Sequence, residues 1–164
     1  MKKINFCVVI SALFLISACQ PAVKKIDIEA EKRAVELVLE NYVIANETQD
    51  LAKIEDIWYP SEQIVSFGTE KGEKLVGISK IKEVVNAQFQ TFKNTYISSH
   101  DQIIEVSDDG NTAWFSEIIN YNFILNDQAM TYEGLCYTGV LKKLDGKWKL
   151  VLTHMSIPAN PIRN

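Results

Sequence analysis

The chain has 164 residues, 47% of them hydrophobic and 23% charged, which fits one ordinary globular domain with a core of its own. Its formal charge is -4, with no Lys/Arg run or basic stripe, so nothing draws it to nucleic-acid phosphates and no nucleic-acid partner is expected. No internal repeat or low-complexity segment interrupts it.

The N-terminus reads as an address. Lys2 and Lys3 form a short positive region, Ile4 to Ile16 is apolar apart from Asn5 and Ser11, and Ser17 and Ala18 follow as small residues, the pattern of an export signal. The apolar run is well short of the ~20 residues that a membrane-spanning helix needs. Ile16-Ser17-Ala18-Cys19 resembles the bacterial lipobox, which implies cleavage before Cys19 and a lipid on its thiol. Residues 1–18 are then a signal peptide, 19–27 the lipidated Cys and tether, 28–158 the folded domain and 159–164 a tail. The resemblance further implies anchoring in the cell envelope, and Gln20 beside the Cys suggests the periplasmic face of the outer membrane if the cell has one. Buried acyl methylenes contribute ~0.8 kcal/mol each, so the lipid suffices as an anchor. Without Lys2 and Lys3 the body carries 15 basic against 21 acidic residues, so charge does not hold it to anionic lipid. Cys7 leaves with the signal and Cys19 takes the lipid, so Cys136 is the lone thiol of the body and no internal disulfide forms. Its place between Leu135 and Tyr137 fits a small buried hydrophobe better than a nucleophile.

Helices come next. Val35, Val38, Tyr42 and Ala45 make one apolar face of a helix from Asp27 to about Asn46. Leu51, Ile54 and Trp58 repeat the device behind Asp50, the expected N-cap, and Pro60 ends it. A short strand, Ile64 to Phe67, leads into a Gly/Lys/Glu-rich loop from Gly68 to Gly77. A third helix to about Phe92 carries Ile81, Val85, Phe89 and Phe92 on one side.

The second half has the period of strands: Tyr96 to Val106, Thr112 to Leu125, Ala129 to Leu144, and Lys147 to Ile157, with tight turns at Asp108-Asp109-Gly110 and Asp145-Gly146. Short turns make neighbours antiparallel, and helices gathered at one end of the chain predict an α+β domain with helices on one sheet face.

Helix, helix, short strand, loop ending in Gly77, third helix and long antiparallel strands together resemble the SnoaL-like and nuclear-transport-factor-like superfamily over roughly Ile28 to Pro158. The sharpest local match, Asp145-Gly146-Lys147-Trp148 through His154 and Ser156, is similar to the close of the calcium/calmodulin-dependent protein kinase II association domain. The resemblance implies a cone-shaped curved antiparallel sheet wrapped on three helices, a pocket at the open end and frequent dimerisation through the sheet. Tyr42 falls where ketosteroid isomerase, of the same superfamily, has a helix tyrosine that donates to the substrate oxyanion. That enzyme's general base falls near Phe67, however, and its second acidic donor near Cys136 to Gly139, where there is no carboxylate. The pocket arginines of the kinase association domain correspond to about Ser116 and Gly139, so that cationic pocket is missing as well.

Simple alternation sets Trp148, Leu150, Leu152, His154 and Ser156 on one side of the last strand, and the Trp and Leu argue that this side faces the interior. His154 is then a neutral core imidazole or a pocket group able to act as acid or base. Glu117, a charge amid Trp114-Phe115-Ser116 and Ile118-Ile119, sits on a wet face or buried as a candidate base, the wet face being favoured. His100, in a polar strand start, reads as solvated. The two histidines lack metal-ligand spacing, so no metal and no cofactor is expected. The expected pocket set is Trp58, Phe67, Trp114, Tyr137 and Ser156, with His154, Tyr42 and Glu117 as candidate catalytic groups. Three functions stay open: a pocket for a small, mostly apolar or aromatic molecule, which is favoured; an acid/base enzyme on His154; and a homodimeric interaction module without ligand, its outer face drawn from Val151, Met155, Val140 or Ile119.

Overall fold

A computed structural model describes residues 26–159. The signal, Cys19 with most of the tether, and the last five residues lie outside the described residues.

Helix α1 (Ile28–Thr48) starts at Asp27, whose carboxylate accepts from the Ala30 N–H at 3.0 Å, and Glu29 and Glu31 in its first turn complement the helix dipole. It stops at Gln49, which takes the left-handed conformation at φ 57°. Helix α2 (Leu51–Ile57) is capped by Asp50, which accepts from the Lys53 N–H at 2.9 Å. Helix α3 (Ile78–Thr91) has no side-chain N-cap of its own. Glu62 serves instead, its Oε1 accepting from the Ser79 hydroxyl at 2.6 Å. That contact explains Gly77, whose φ is +89° and where a Cβ would lie 2.0 Å from the Glu62 carboxylate.

The strands are β1 (Val65–Phe67), β2 (Lys74–Val76), β3 (Phe92–Val106), β4 (Thr112–Leu125), β5 (Gln128–Leu144) and β6 (Lys147–Ser156). They form one open sheet in the order β2-β1-β6-β5-β4-β3. Three expectations change here. The stretch read as a loop contains β2, leaving only the Gly68–Glu73 tip irregular. Phe92 opens β3 rather than closing α3, because its backbone has already turned extended at φ -82°, ψ 138°. The sheet is mixed rather than wholly antiparallel, since β1 runs parallel to β6 while the other neighbours are antiparallel.

Helices cover one face. Val35, Leu39 and Ala45 of α1, Ile54 and Ile57 of α2, and Ile81 of α3 pack on Ile97, Phe115, Ile119, Leu135, Tyr137, Leu141 and Leu150. Each fully buried side chain of that size contributes about 1.5–3 kcal/mol. Phe115 lies edge-on to Tyr137, ring centroids 5.0 Å apart, and lies over Gly139, where a Cβ would stand 2.5 Å from the ring. The start of α1 is tied to the β5–β6 hairpin through Glu31, which accepts from Trp148 Nε1–H at 2.9 Å and pairs with Lys143 at 2.6 Å. The Lys143 partner holds the Glu31 carboxyl below the usual range.

Strand β6 corrects the alternation argument. Leu141 pairs with Leu150 but Val140 pairs with Leu152, so Val151 is an extra residue and the strand bulges there. The bulge lies where β6 changes its edge partner, from Trp58 and Tyr59 beside Leu150 to β1 beside Leu152. One extra residue reverses every side chain beyond it. Trp148 and Leu150 stay inside, Thr153 and Met155 turn inward, and Leu152 and His154 become exposed on the opposite face with Ser156 beside them.

Candidate functional site

Between the helices and the concave face lies a cavity of about 320 Å³, at the low end of the ~300–1,000 Å³ usual for small-molecule sites. Its mouth is bounded by the Gly68–Glu73 loop and its walls by α2, α3 and the inward residues of β4, β5 and β6. Most of the lining is apolar: Ile54, Trp58, Leu75, Ile81, Val85, Phe123, Leu135 and Met155.

Hydroxyls supply the polarity. Tyr42, from α1, and Tyr137, from β5, face each other with ring centroids 5.1 Å apart and a 30° tilt. Ser66 and Thr153 share a hydrogen bond of 2.9 Å between their hydroxyls. Tyr121 donates to Asn46 Oδ1 at 3.3 Å, and Asn46 in turn donates from Nδ2 to the Tyr42 carbonyl at 2.8 Å. The Tyr137 hydroxyl is buried within reach of those of Tyr42 and Thr153 but makes no hydrogen bond of normal geometry with either. Burial pushes the Tyr42 phenol up to about 12, and raises those of Tyr121 and Tyr137 above the usual tyrosine range as well. All three are therefore neutral at pH 7 and act as donors. Apart from tyrosines, the ionisable side chains of the lining are Glu70 and Glu73, both exposed on the mouth loop. Glu73 closes that loop by accepting from the Glu70 N–H at 2.9 Å.

The residues singled out from sequence separate into three places. Tyr42, Trp58 and Tyr137 meet in the cavity, and Phe67 borders it while its ring packs edge-on to His154 at 5.8 Å. Trp114, His154 and Ser156 belong to the outer face of the sheet, Trp114 being 49% exposed. Glu117 faces α1 and is buried at 4% exposure, which overturns the wet-face expectation. The three candidate acid/base groups do not converge, because the sheet stands between His154 and Tyr42. Among the described residues no three His, Cys, Asp or Glu side chains group as metal ligands do. Cys136 is half-buried rather than fully buried, since it points to the outer face.

Sequence reasoning missed Thr153, Asn46 and Tyr121. Asn46 stands one turn beyond Tyr42, and Tyr121 continues the Ile119–Phe123 alternation, so both were open to the periodicity argument. Thr153 was hidden by the bulge.

Solved structures with the same fold include a nuclear-transport-factor-2-like superfamily protein from Salmonella enterica, 19% identical over 80% of this chain and 94% of that one, with a TM-score of 0.71. A protein from Xanthomonas campestris, assigned as a calcium/calmodulin-dependent protein kinase II association domain, is 20% identical over 77% of this chain and 86% of its own, with a TM-score of 0.65. One from Novosphingobium aromaticivorans, assigned as a scytalone dehydratase, is 14% identical over 82% and 91%, with a TM-score of 0.71. At these identities the likeness is one of fold. No curated protein matches the chain. The family model of the SnoaL-like domain matches residues 35–160, which span most of α1, the other two helices, the cavity and the whole sheet, and the chain belongs to that family.

Proposed function

We propose that the domain is a receptor for a small, mostly apolar or aromatic molecule carrying a hydrogen-bond acceptor, held at the cell envelope by lipid on Cys19. The observation that carries the reading is the buried Tyr137 hydroxyl without a partner in a mostly apolar cavity. An unmade buried hydrogen bond costs about 1–3 kcal/mol, which a ligand carbonyl or ether oxygen at that point would recover. Receptor rather than catalyst is favoured because the inner lining offers hydroxyl donors and no imidazole, while its two carboxylates, Glu70 and Glu73, stand exposed on the mouth loop.

The tether enters at the far end. Ile26 packs on Gly110, in the turn between β3 and β4, whereas the cavity opens by the Gly68–Glu73 loop near the C-terminal end of α1. From the start of α1 at Ile28 to Tyr42 and Asn46, where it reaches the cavity, the helix rises roughly 20–27 Å, which supports entry of the ligand from the side away from the tether. Mass spectrometry of the membrane fraction checks the anchor, through loss of residues 1–18 and acyl mass on Cys19. Native mass spectrometry of the same preparation tests the receptor. The expected result is a non-covalent adduct that is lost or weakened in Tyr137→Phe; an empty chain that also ignores added small aromatic ketones would refute it.

A homodimer is also proposed, through the outer face. Trp114, Val140 and Leu152 lie in one row across β4, β5 and β6, with Ile103 exposed nearby at 60%. This row replaces the face expected from Val151, Met155 and Ile119, which pack toward the core. Leu152→Asp should convert a dimer to a monomer in sedimentation; a parent chain that sediments as a monomer excludes the reading.

A further inference from the structure

We propose a second binding site, for an organic ammonium with a short apolar stem, in the groove between α1 and strands β3 and β4 with Glu117 as its counter-ion. The groove has a volume of about 260 Å³ and is walled by Leu39, Val43, Ile44 and Ile97. Glu117 lines it together with Gln102, and Glu40 also borders it.

Two charged side chains are buried among the described residues, and they differ in partnership. Lys149 has Asp56 at 2.9 Å. Glu117 has the Gln102 amide, donating from Nε2 at 2.7 Å, and no cation. Buried charges are ordinarily paired, and no Lys, Arg or His lines the groove to do so. The one-sided arrangement is built by the backbone. His100 pairs with Ile118 and Ile103 with Ser116, so both Asp101 and Gln102 stand opposite Glu117, with Asp101 at φ +53°. A regular ladder would set the Asp101 carboxylate against Glu117; the bulge puts a donor there instead. The groove thus offers a carboxylate fixed on one side by an amide and an apolar wall for a carbon stem. A primary ammonium supplies the missing charge and its donors, while Glu40 adds like-signed attraction. Tyr42 and Tyr137 lie behind Glu117 and are neutral, so they add no competing charge.

The test uses the full-length chain, 15N-labelled in detergent micelles and titrated with n-butylammonium and separately with n-butanol. Saturable shifts are expected at the Gln102 side-chain amide and at the amides of Leu39, Val43 and Ile97, with n-butanol at least tenfold weaker. Glu117→Gln should weaken ammonium binding at least tenfold. Ile44→Trp, which fills the groove and leaves the carboxylate in place, should do the same and carries the comparison if Glu117→Gln does not fold. Absence of saturable shifts, an equal response to n-butanol, shifts confined to the tyrosine-lined cavity, or a response indifferent to both substitutions would overturn the site. It is separate from that cavity, so its failure leaves the receptor reading untouched.

Discussion

Thr153 and His154 are neighbours in the chain and live on opposite sides of one sheet. Thr153 is buried, shares its hydroxyl with Ser66 and lines the cavity; His154 is exposed and touches the edge of Phe67. The same division runs across β5, where Tyr137 is buried at 2% exposure while Thr138, paired with His154, faces outward. Inside, burial raises the phenols of Tyr42, Tyr121 and Tyr137 and leaves that of Tyr137 without a partner. Outside, chemically versatile groups such as His154 and Trp114 stand in water, where their polar atoms need no protein partner. Residue type therefore says less about role here than the side of the sheet on which a bulge places it.

The sharpest way to break the comparison is to remove the bulge. Deleting Val151 straightens β6, carries Leu152 and His154 inward and expels Thr153 and Met155. The expected loss is about 4 kcal/mol or more, the range of severe core disruption, measured by denaturant unfolding. Unchanged stability would mean that the strand finds its register without the extra residue.

Tyr137→Phe probes the interior alone. In ligand-free protein, removing the orphan hydroxyl should stabilise the fold by about 1 kcal/mol, while the same change should weaken ligand binding roughly tenfold. Destabilisation of the empty protein would mean that the hydroxyl is already satisfied.

Glu117→Gln gives a pH signature. Burial holds the Glu117 carboxyl above its ordinary 4.5, so the folded state binds that proton more tightly than the unfolded chain. The stability this lends is complete below 4.5 and is lost as pH rises through the raised value. The glutamine variant loses nothing on that rise, so its melting temperature should exceed the parent's by a few degrees at pH 7, the gap closing below about 4.5. Glu31 and Asp56, both held low by lysine partners, respond in the opposite direction but equally in both proteins, so the difference isolates Glu117. A gap that ignores pH would remove the buried-carboxylate account.

The smallest effect belongs to the outer face. His154→Ala should change stability by under about 0.5 kcal/mol, as surface substitutions do, and leave ligand binding intact. A large loss of binding would return His154 to the site.

Helix periodicity was legible because caps and apolar spacing act over one or two turns: Asp50 caps the helix it was read to cap, Asp27, read as the first helical residue, caps α1 from just outside it, and Tyr42 lies on the buried side of α1 where its spacing put it. Part of the cavity wall was legible as well, Tyr42 and Trp58 through helical spacing and Tyr137 as a large aromatic of a strand. Trp114 was misplaced because a large apolar side chain on a strand looks the same from sequence whether it packs inward or waits on an outer face, and His154 and Ser156 because the Val151 bulge reverses the alternation beyond it. Glu117 was misread because a lone carboxylate in a strand carries no sign of the helix that covers it.

By itself, the sequence determined the order and type of most elements, the turn at Asp145-Gly146, the α+β class and the family resemblance, since these rest on local dihedral preference and short-range period. Tertiary structure alone decided the parallel β1–β6 pairing, the bulges at Val151 and at Asp101–Gln102, and hence which side each polar group faces. The physical reason is that a one-residue register slip costs little locally and is settled by contacts distant in the chain. Val65 meeting Leu152 and α1 lying over Glu117 have no signature within any short stretch of residues.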